Sequence, residues 1–230
     1  MKIIKKNTDS ISPLIALEKP KSSLSEKFKG IRTNIIFSNA NEEIQSVVFS
    51  SEKSESGKST ISANVAITYA QAGYKTLLLD GDMRKPTQHS IFNKSNNIGL
   101  SNLIIKNDNI DDYINNIENV KNLDLLTSGP IPPNPSELIS SNNFSLLFKT
   151  LKEEYDMIII DTPPVNTVTD AQLFSELSKF VILVIDVEKN DKHAAKKGKE
   201  LIEKTGAKVL GVVLNKITDV DESYYYYGED

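Results

Sequence analysis

The chain has 230 residues, with Lys+Arg 27 against Asp+Glu 31 for a formal net charge of −4, no cysteine, 39% hydrophobic and 25% charged residues. That length holds one large domain or two small ones and buries a sizeable core, and the balance is that of a globular chain, not a disordered one. Disulfide frameworks, Cys-ligated zinc and thiol catalysis are excluded, and a mild negative charge argues against a nucleic-acid binder.

Residues 1–23 are polar, contain Pro13 and Pro20, and read as an extended N-terminal arm. The opening MKIIKKNTDS has no signal-peptide h-region, so a cytoplasmic, soluble chain is expected. A helix begins near Ser25, where Phe28, Ile31, Ile35 and Ile36 recur at helical spacing on one face. Asn39–Glu43 reads as a turn. Val47–Phe49 is the first of six apolar runs, followed by a helix over Thr60–Gln71 with Gly73 placed to end it. The other runs are Thr76–Asp80, Leu123–Leu126, Met157–Asp161, Phe180–Val187 and Val209–Asn215. Helical patterns cover Asn142–Glu154, Asp170–Ser178 and Lys192–Thr205. The longest unbroken apolar stretch, Phe180–Ile185, has six residues, against about 18 for a membrane span. Continuous rather than alternating apolar strands imply burial on both faces. The fold class expected is α/β, a mostly parallel sheet with helices on both faces. One domain spans residues 24–218, and residues 219–230 form a flexible tail in which Asp221, Glu222, Glu229 and Asp230 flank Tyr224, Tyr225, Tyr226 and Tyr227.

Between the first strand and the first strong helix stands SSEKSESGKST, residues 50–60. Gly57-Lys58-Ser59-Thr60 has the character of a phosphate-binding loop. Glycine lets backbone N–H groups approach phosphate oxygens, and the helix N-terminus adds partial positive charge. Lys58 supplies a full charge at the β- and γ-phosphates, and the Ser59 hydroxyl is a ligand for Mg²⁺. Lys53, Ser54, Glu55 and Ser56 complete the nucleotide-binding segment. Two departures stand out: Glu52 occupies the place of the usual first glycine, and Glu55 that of a frequent second one. Both carboxylates are unfavourable beside a triphosphate unless they point outward.

Strand two ends in Asp80-Gly81-Asp82-Met83-Arg84 and strand four in Asp161-Thr162-Pro163-Pro164. Open parallel sheets bind ligands at the carboxyl ends of their strands. Asp80, Asp82 and Asp161 are therefore expected to meet beside Lys58, where one carboxylate orients Mg²⁺ with Ser59 and another accepts the proton of an attacking hydroxyl; Asp82 and Asp161 are assigned to Mg²⁺ and Asp80 to the proton, with the division between Asp80 and Asp82 left open. Arg84 either contacts phosphate or holds Asp82.

These segments resemble the Walker A, A′ and B motifs of the bacterial tyrosine kinases, the BY-kinases. The likeness extends to LTSGPIPPNPSELI at Leu126–Ile139, PPVNTVTDAQLF at Pro163–Phe174, GVVLN at Gly211–Asn215 and the tyrosine-rich tail. It is closest to the cytoplasmic kinase subunits of Gram-positive capsular polysaccharide systems, and covers nearly the whole chain. The resemblance implies the Min/Par-like branch of the P-loop fold. The implied activity is a Mg²⁺- and ATP-dependent protein-tyrosine kinase that phosphorylates its own tyrosine cluster. The implied partners are a membrane-spanning activator with a cytoplasmic tail, further copies of the chain in a ring, a cognate tyrosine phosphatase, and polysaccharide-synthesis enzymes as substrates. An activator of that kind would recruit the chain to the inner face of the membrane. The family's ExxRxxR stripe at the ring interface corresponds to Glu26, Lys29 and Arg32, with Lys29 in place of an arginine. Asn215 either reads the purine or only ends its strand. Lys53 stands where Min/Par ATPases carry a lysine that reaches across a dimer. A Min/Par-type ATPase switch and a nucleotide-binding scaffold without kinase activity therefore stay open as alternatives.

Overall fold

The computed structural model describes residues 12–38, 43–189 and 191–217. Among these residues seven strands form one sheet in the order β3-β4-β2-β5-β1-β6-β7. They are β1 (Ser46–Ser51), β2 (Thr76–Asp80), β3 (Ile114–Asn116), β4 (Leu123–Leu126), β5 (Met157–Asp161), β6 (Phe180–Asp186) and β7 (Lys208–Asn215). All pairings are parallel except β3 with β4, where Ile114 faces Leu126. The mostly parallel α/β class is therefore as expected. The short β3 was missed because it carries no apolar run.

The helices are α1 (Ile15–Glu18), α2 (Ser23–Phe37), α3 (Lys58–Gln71), α4 (Gln88–Ile91), α5 (Leu100–Lys106), α6 (Pro135–Ile139), α7 (Asn142–Glu154), α8 (Asp170–Ser178) and α9 (Lys192–Glu203). A buried strand sends alternate side chains to opposite faces. Val47, Phe49, Leu78 and Ile159 accordingly join Phe28, Ile35 and the apolar residues of α3 in one core. Val48, Leu77, Leu79, Ile158 and Ile160 join Leu100, Phe144, Phe174 and Ile202 in the other. This two-sided burial is why these strands read as unbroken apolar runs.

Local signals set the helix ends. Ser22 Oγ accepts from the N–H of Ser25 and starts α2, and Ser141 Oγ accepts from that of Phe144 and starts α7. Gly73, at φ +97°, follows the end of α3 as expected. Three expectations need correction. The arm is not extended throughout: α1 lies within it, with Ile15 and Ala16 buried against α3, and Asn64 Oδ1 accepts from the N–H of Ala16. Residues 1–11 lie outside the described residues, as do 39–42 of the expected turn and the tyrosine tail. Ile36 is 40% exposed and off the apolar face of α2. Finally, β7 is not buried on both sides; as an edge strand it leaves Val212 and Leu214 exposed.

Candidate active site

The loop from β1 to α3 lies at the carboxyl edge of the sheet. Gly57 caps α3 in the left-handed region at φ +85°, and a Cβ there would collide with the Asn215 amide. Glu55, also left-handed at φ +64°, occupies a conformation that glycine takes without strain, and its side chain is exposed. Glu52 does not point outward: it is 3% exposed, and neither carboxylate oxygen has a hydrogen-bond partner. Its nearest cation is Lys53, whose Nζ is 3.6 Å away. Lys53 also donates to the carbonyl of Lys189, which ties it to its own chain. Ser56 is buried and donates to the Lys53 carbonyl.

Lys58 Nζ stands 3.2 Å from Ser59 Oγ, 3.4 Å from Asp82 Oδ2 and 3.4 Å from Asp161 Oδ1. Burial works to lower the Lys58 pKa, but the charges of Asp161, Asp82 and Asp80 more than offset it and hold the ammonium above its ordinary range. Burial raises the carboxyl of Asp82 against the pull of Lys58. Asp80 is fully buried; burial first, then the charge of Asp161, pushes it up to about 8. Its Oδ1 accepts from the N–H of Asp82, and its Oδ2 from those of Thr87 and Gln88. The side chain expected to be the proton acceptor is thus turned into the Asp80–Gln88 loop. Asp82 is the member of the pair that lines the cavity.

That cavity, about 400 Å³, is bounded by Ser54, Glu55, Gly57, Lys58, Ser59 and Thr60 on the loop side. Arg84, Lys85 and Thr87 form a second wall, and Pro163, Pro164 and Val168 an apolar third. Asn215 is not part of it. Its amide donates to the carbonyl of Ser56 at 2.9 Å, so it braces the loop from behind. Arg84 makes no hydrogen bond to Asp82; its guanidinium grips both oxygens of the buried Asp170 at 2.8 and 3.0 Å and donates to Ser136 Oγ. Asp170 and Ser136 were not singled out from sequence, although both lie in the segments that carry the family resemblance. Gln88 was missed as well, and nothing local marks it.

The residues present suit Mg²⁺. A hydroxyl and two carboxylate oxygens converge on one ammonium, and Asp161 Oδ1 has no hydrogen-bond partner. Among the described residues no three His, Cys, Asp or Glu side chains could hold a metal together. A hard cation that keeps several waters and takes phosphate oxygens is the ion for such a sparse oxygen set.

On α2 the stripe of Glu26, Lys29 and Arg32, expected at an interface between subunits, finds partners within the chain. Lys29 Nζ is 2.7 Å from Glu26 Oε1 and donates to the Pro20 carbonyl. Arg32 turns toward α3 and donates to the Thr68 carbonyl at 2.6 Å.

A parallel sheet with a lysine-bearing loop between β1 and α3, and strand-end carboxylates of β2 and β5 facing that lysine, defines a P-loop nucleotide-binding protein. The AAA domain family model matches residues 44–209. The putative tyrosine-protein kinase CapB of Staphylococcus aureus is 60% identical over 98% of this chain and 99% of its own. The crystal structure of the chimerical protein CapA2B2 superposes with a TM-score of 0.87 at 59% identity, over 90% of this chain and 91% of that one. The septum site-determining protein MinD of Pyrococcus horikoshii, solved with Mg-ADP, shares the fold at a TM-score of 0.63 and 24% identity, over 74% and 69% of the two chains. The chain belongs to the bacterial tyrosine-protein kinase family and is an ATP-dependent protein-tyrosine kinase. Among the described residues no helix is long and apolar enough to cross a membrane.

Proposed function

We propose that this kinase phosphorylates its own tyrosine cluster, Tyr224–Tyr227, between subunits, and that this controls capsular or exopolysaccharide synthesis. The observation that carries the reading is the cavity itself: a phosphate loop on one side, Asp82 at its floor, and an apolar wall of Pro163, Pro164 and Val168 that suits a phenol ring. Lys58 and the loop amides would hold the phosphates. Ser59, Asp82 and Asp161 would hold Mg²⁺, which when bound offsets the charge of the β- and γ-phosphates. The phenolic oxygen attacks the γ-phosphorus, the bond to the β–γ bridging oxygen breaks, ADP leaves, and the phenolic proton passes to a carboxylate of the Asp80–Asp82 pair. Tyrosine's ordinary pKa near 10 makes such a base useful at neutral pH. Asp82 opens onto the cavity in this conformation; Asp80 holds the turn that presents it.

Transfer between subunits is supported by where the chain leaves the fold. Strand β7 runs in the same direction as β1 and its last residue, Asn215, donates to the Ser56 carbonyl, so the described chain ends at the loop edge of the sheet. A tail that begins there would find a neighbour's Lys58 an easier target than its own. Glu26, Lys29 and Arg32 would exchange their internal partners for a neighbour's in a ring. The organisation proposed is an arm over residues 1–23, a kinase domain over 24–218 and a substrate tail over 219–230. A membrane-spanning activator would recruit the chain to the membrane's inner face, a tyrosine phosphatase would reverse the reaction, and polysaccharide-synthesis enzymes would be further substrates. The tie of Lys53 to Lys189 favours the kinase over a Min/Par-type switch that needs that lysine in a partner. Each phosphate adds about −1.5 to −2 charge to an acidic tail, which opposes rebinding near Asp80, Asp82 and Asp161 and makes the reaction self-limiting.

The test mixes a Lys58→Met chain with an active chain lacking residues 221–230 and γ-labelled ATP. Label on the tyrosines of the inactive chain is the expected result. An unlabelled mixture, with wild type labelling at a rate independent of concentration, would place transfer within one chain.

A further inference from the structure

Gln88 opens the short helix α4, a few residues beyond Arg84, and is fully buried. Its backbone N–H donates to Asp80 Oδ2 at 2.9 Å. Its side-chain amide donates to the Ser59 carbonyl at 3.0 Å and to Asp161 Oδ2 at 2.8 Å, and reaches Ser62 Oγ at 3.3 Å. One side chain therefore joins the first turn of α3 to the carboxyl end of β5, while its own backbone is fixed by the end of β2. The amide can sit only one way round. Turned over, its oxygen would face a carboxylate and a carbonyl, both acceptors.

The consequence falls on Asp161. With Oδ2 taken by Gln88, the oxygen left for the site is Oδ1, which has no hydrogen-bond partner and lies 3.4 Å from Lys58 Nζ. A carboxylate pinned by a neutral donor keeps its full charge and offers one oxygen in one direction. Ser59, whose hydroxyl lies 3.2 Å from the same ammonium, is pinned through its carbonyl by the same amide. We propose that Gln88 is a positioning residue for the nucleotide-bound metal: it sets the distance and direction between Ser59 and Asp161. This rests on the assignment of those two residues to Mg²⁺. Gln88 touches neither nucleotide nor metal; it acts through the side chains that do. Groups that orient metal ligands in this way typically govern about 10- to 100-fold in metal affinity or activity.

The experiment uses the full chain and ADP, read by calorimetry with and without Mg²⁺, so that it does not depend on tyrosine transfer. Gln88→Met keeps the length and approximate volume of the side chain but donates nothing. It should weaken the Mg²⁺-dependent part of ADP binding about 10- to 100-fold, leave Mg²⁺-free ADP binding unchanged, and lower kcat more than it raises KM for ATP. Equal weakening of both binding modes together with a large loss of thermal stability would mean a merely structural role and overturn the proposal. Wild-type Mg²⁺ dependence in Gln88→Met would overturn it too. Should that variant not yield folded protein, Gln88→Asn, whose amide falls one methylene short of Asp161, carries the same comparison. Asp161→Asn, measured alongside, separates the two layers. If it also keeps wild-type Mg²⁺ dependence, the metal assignment fails and the proposal with it. If Asp161→Asn loses that dependence while Gln88→Met retains it, the assignment stands and only the role of Gln88 is wrong.

Discussion

Replacing Lys58 by methionine removes more than a phosphate ligand. The ammonium is the counter-ion of two buried carboxylates, Asp82 and Asp161, each at 3.4 Å. At an effective dielectric of about 20, each such contact is worth about 5 kcal/mol before desolvation. Desolvation takes back much of this, and removing one partner of a buried pair costs about 3–5 kcal/mol in practice, because the charge left behind has no counter-ion. For a domain of this size that is a fall in melting temperature of roughly 6–20 °C. Lys58→Met is therefore not neutral to the fold. Asp82, whose carboxyl burial already raises, can recover part of the loss by taking up a proton, so the penalty should shrink as pH falls. The catalytic loss should be larger still, at least about 100- to 1000-fold, since phosphoryl transfer relies on positioning and charge stabilisation. Thermal unfolding of both proteins at pH 5.5 and 7.5, beside tyrosine labelling from γ-labelled ATP, checks each part. Equal melting temperatures at both pH values would refute the counter-ion argument, and near-normal labelling would refute the site.

Asp80 gives a second pH test. Its carboxyl is raised in the fold to about 8, so the folded state holds a proton that the unfolded chain releases above about 3.9. The stabilisation this provides is complete below about pH 4 and is lost as pH rises through about 8. Urea titrations of ligand-free Asp80→Asn should lose less stability between pH 5 and 8 than wild type, and parallel curves would count against the assignment. Glu55→Gly should remove a left-handed L-residue, gaining up to roughly 1 kcal/mol, and take a carboxylate from the cavity rim. Tighter Mg·ADP binding by calorimetry is the expected outcome, and weaker binding would show that Glu55 serves the site.

The strands and the longer helices were legible because their signals are local. Burial on both faces writes an apolar run at β2, β5 and β6, and helical spacing marks Asn142–Glu154 and Asp170–Ser178 at the bounds the structure shows. The phosphate loop and the strand-end aspartates were legible for the same reason: residue type and spacing within a few positions carry their chemistry. What only the tertiary structure decided are contacts between residues far apart in the chain. Asn215 reaches Ser56 across 159 positions, Arg84 reaches Asp170 across 86, and Gln88 reaches Asp161 across 73. The exposure of β7 depends on its place at the edge of the sheet, which follows from strand order and not from its own residues. The inward turn of Glu52 and of Asp80 was hidden likewise. Asp80 is turned by the N–H groups of Asp82, Thr87 and Gln88, which only the folded turn brings round it, whereas Glu52 lies inward with no hydrogen-bond donor among the described residues.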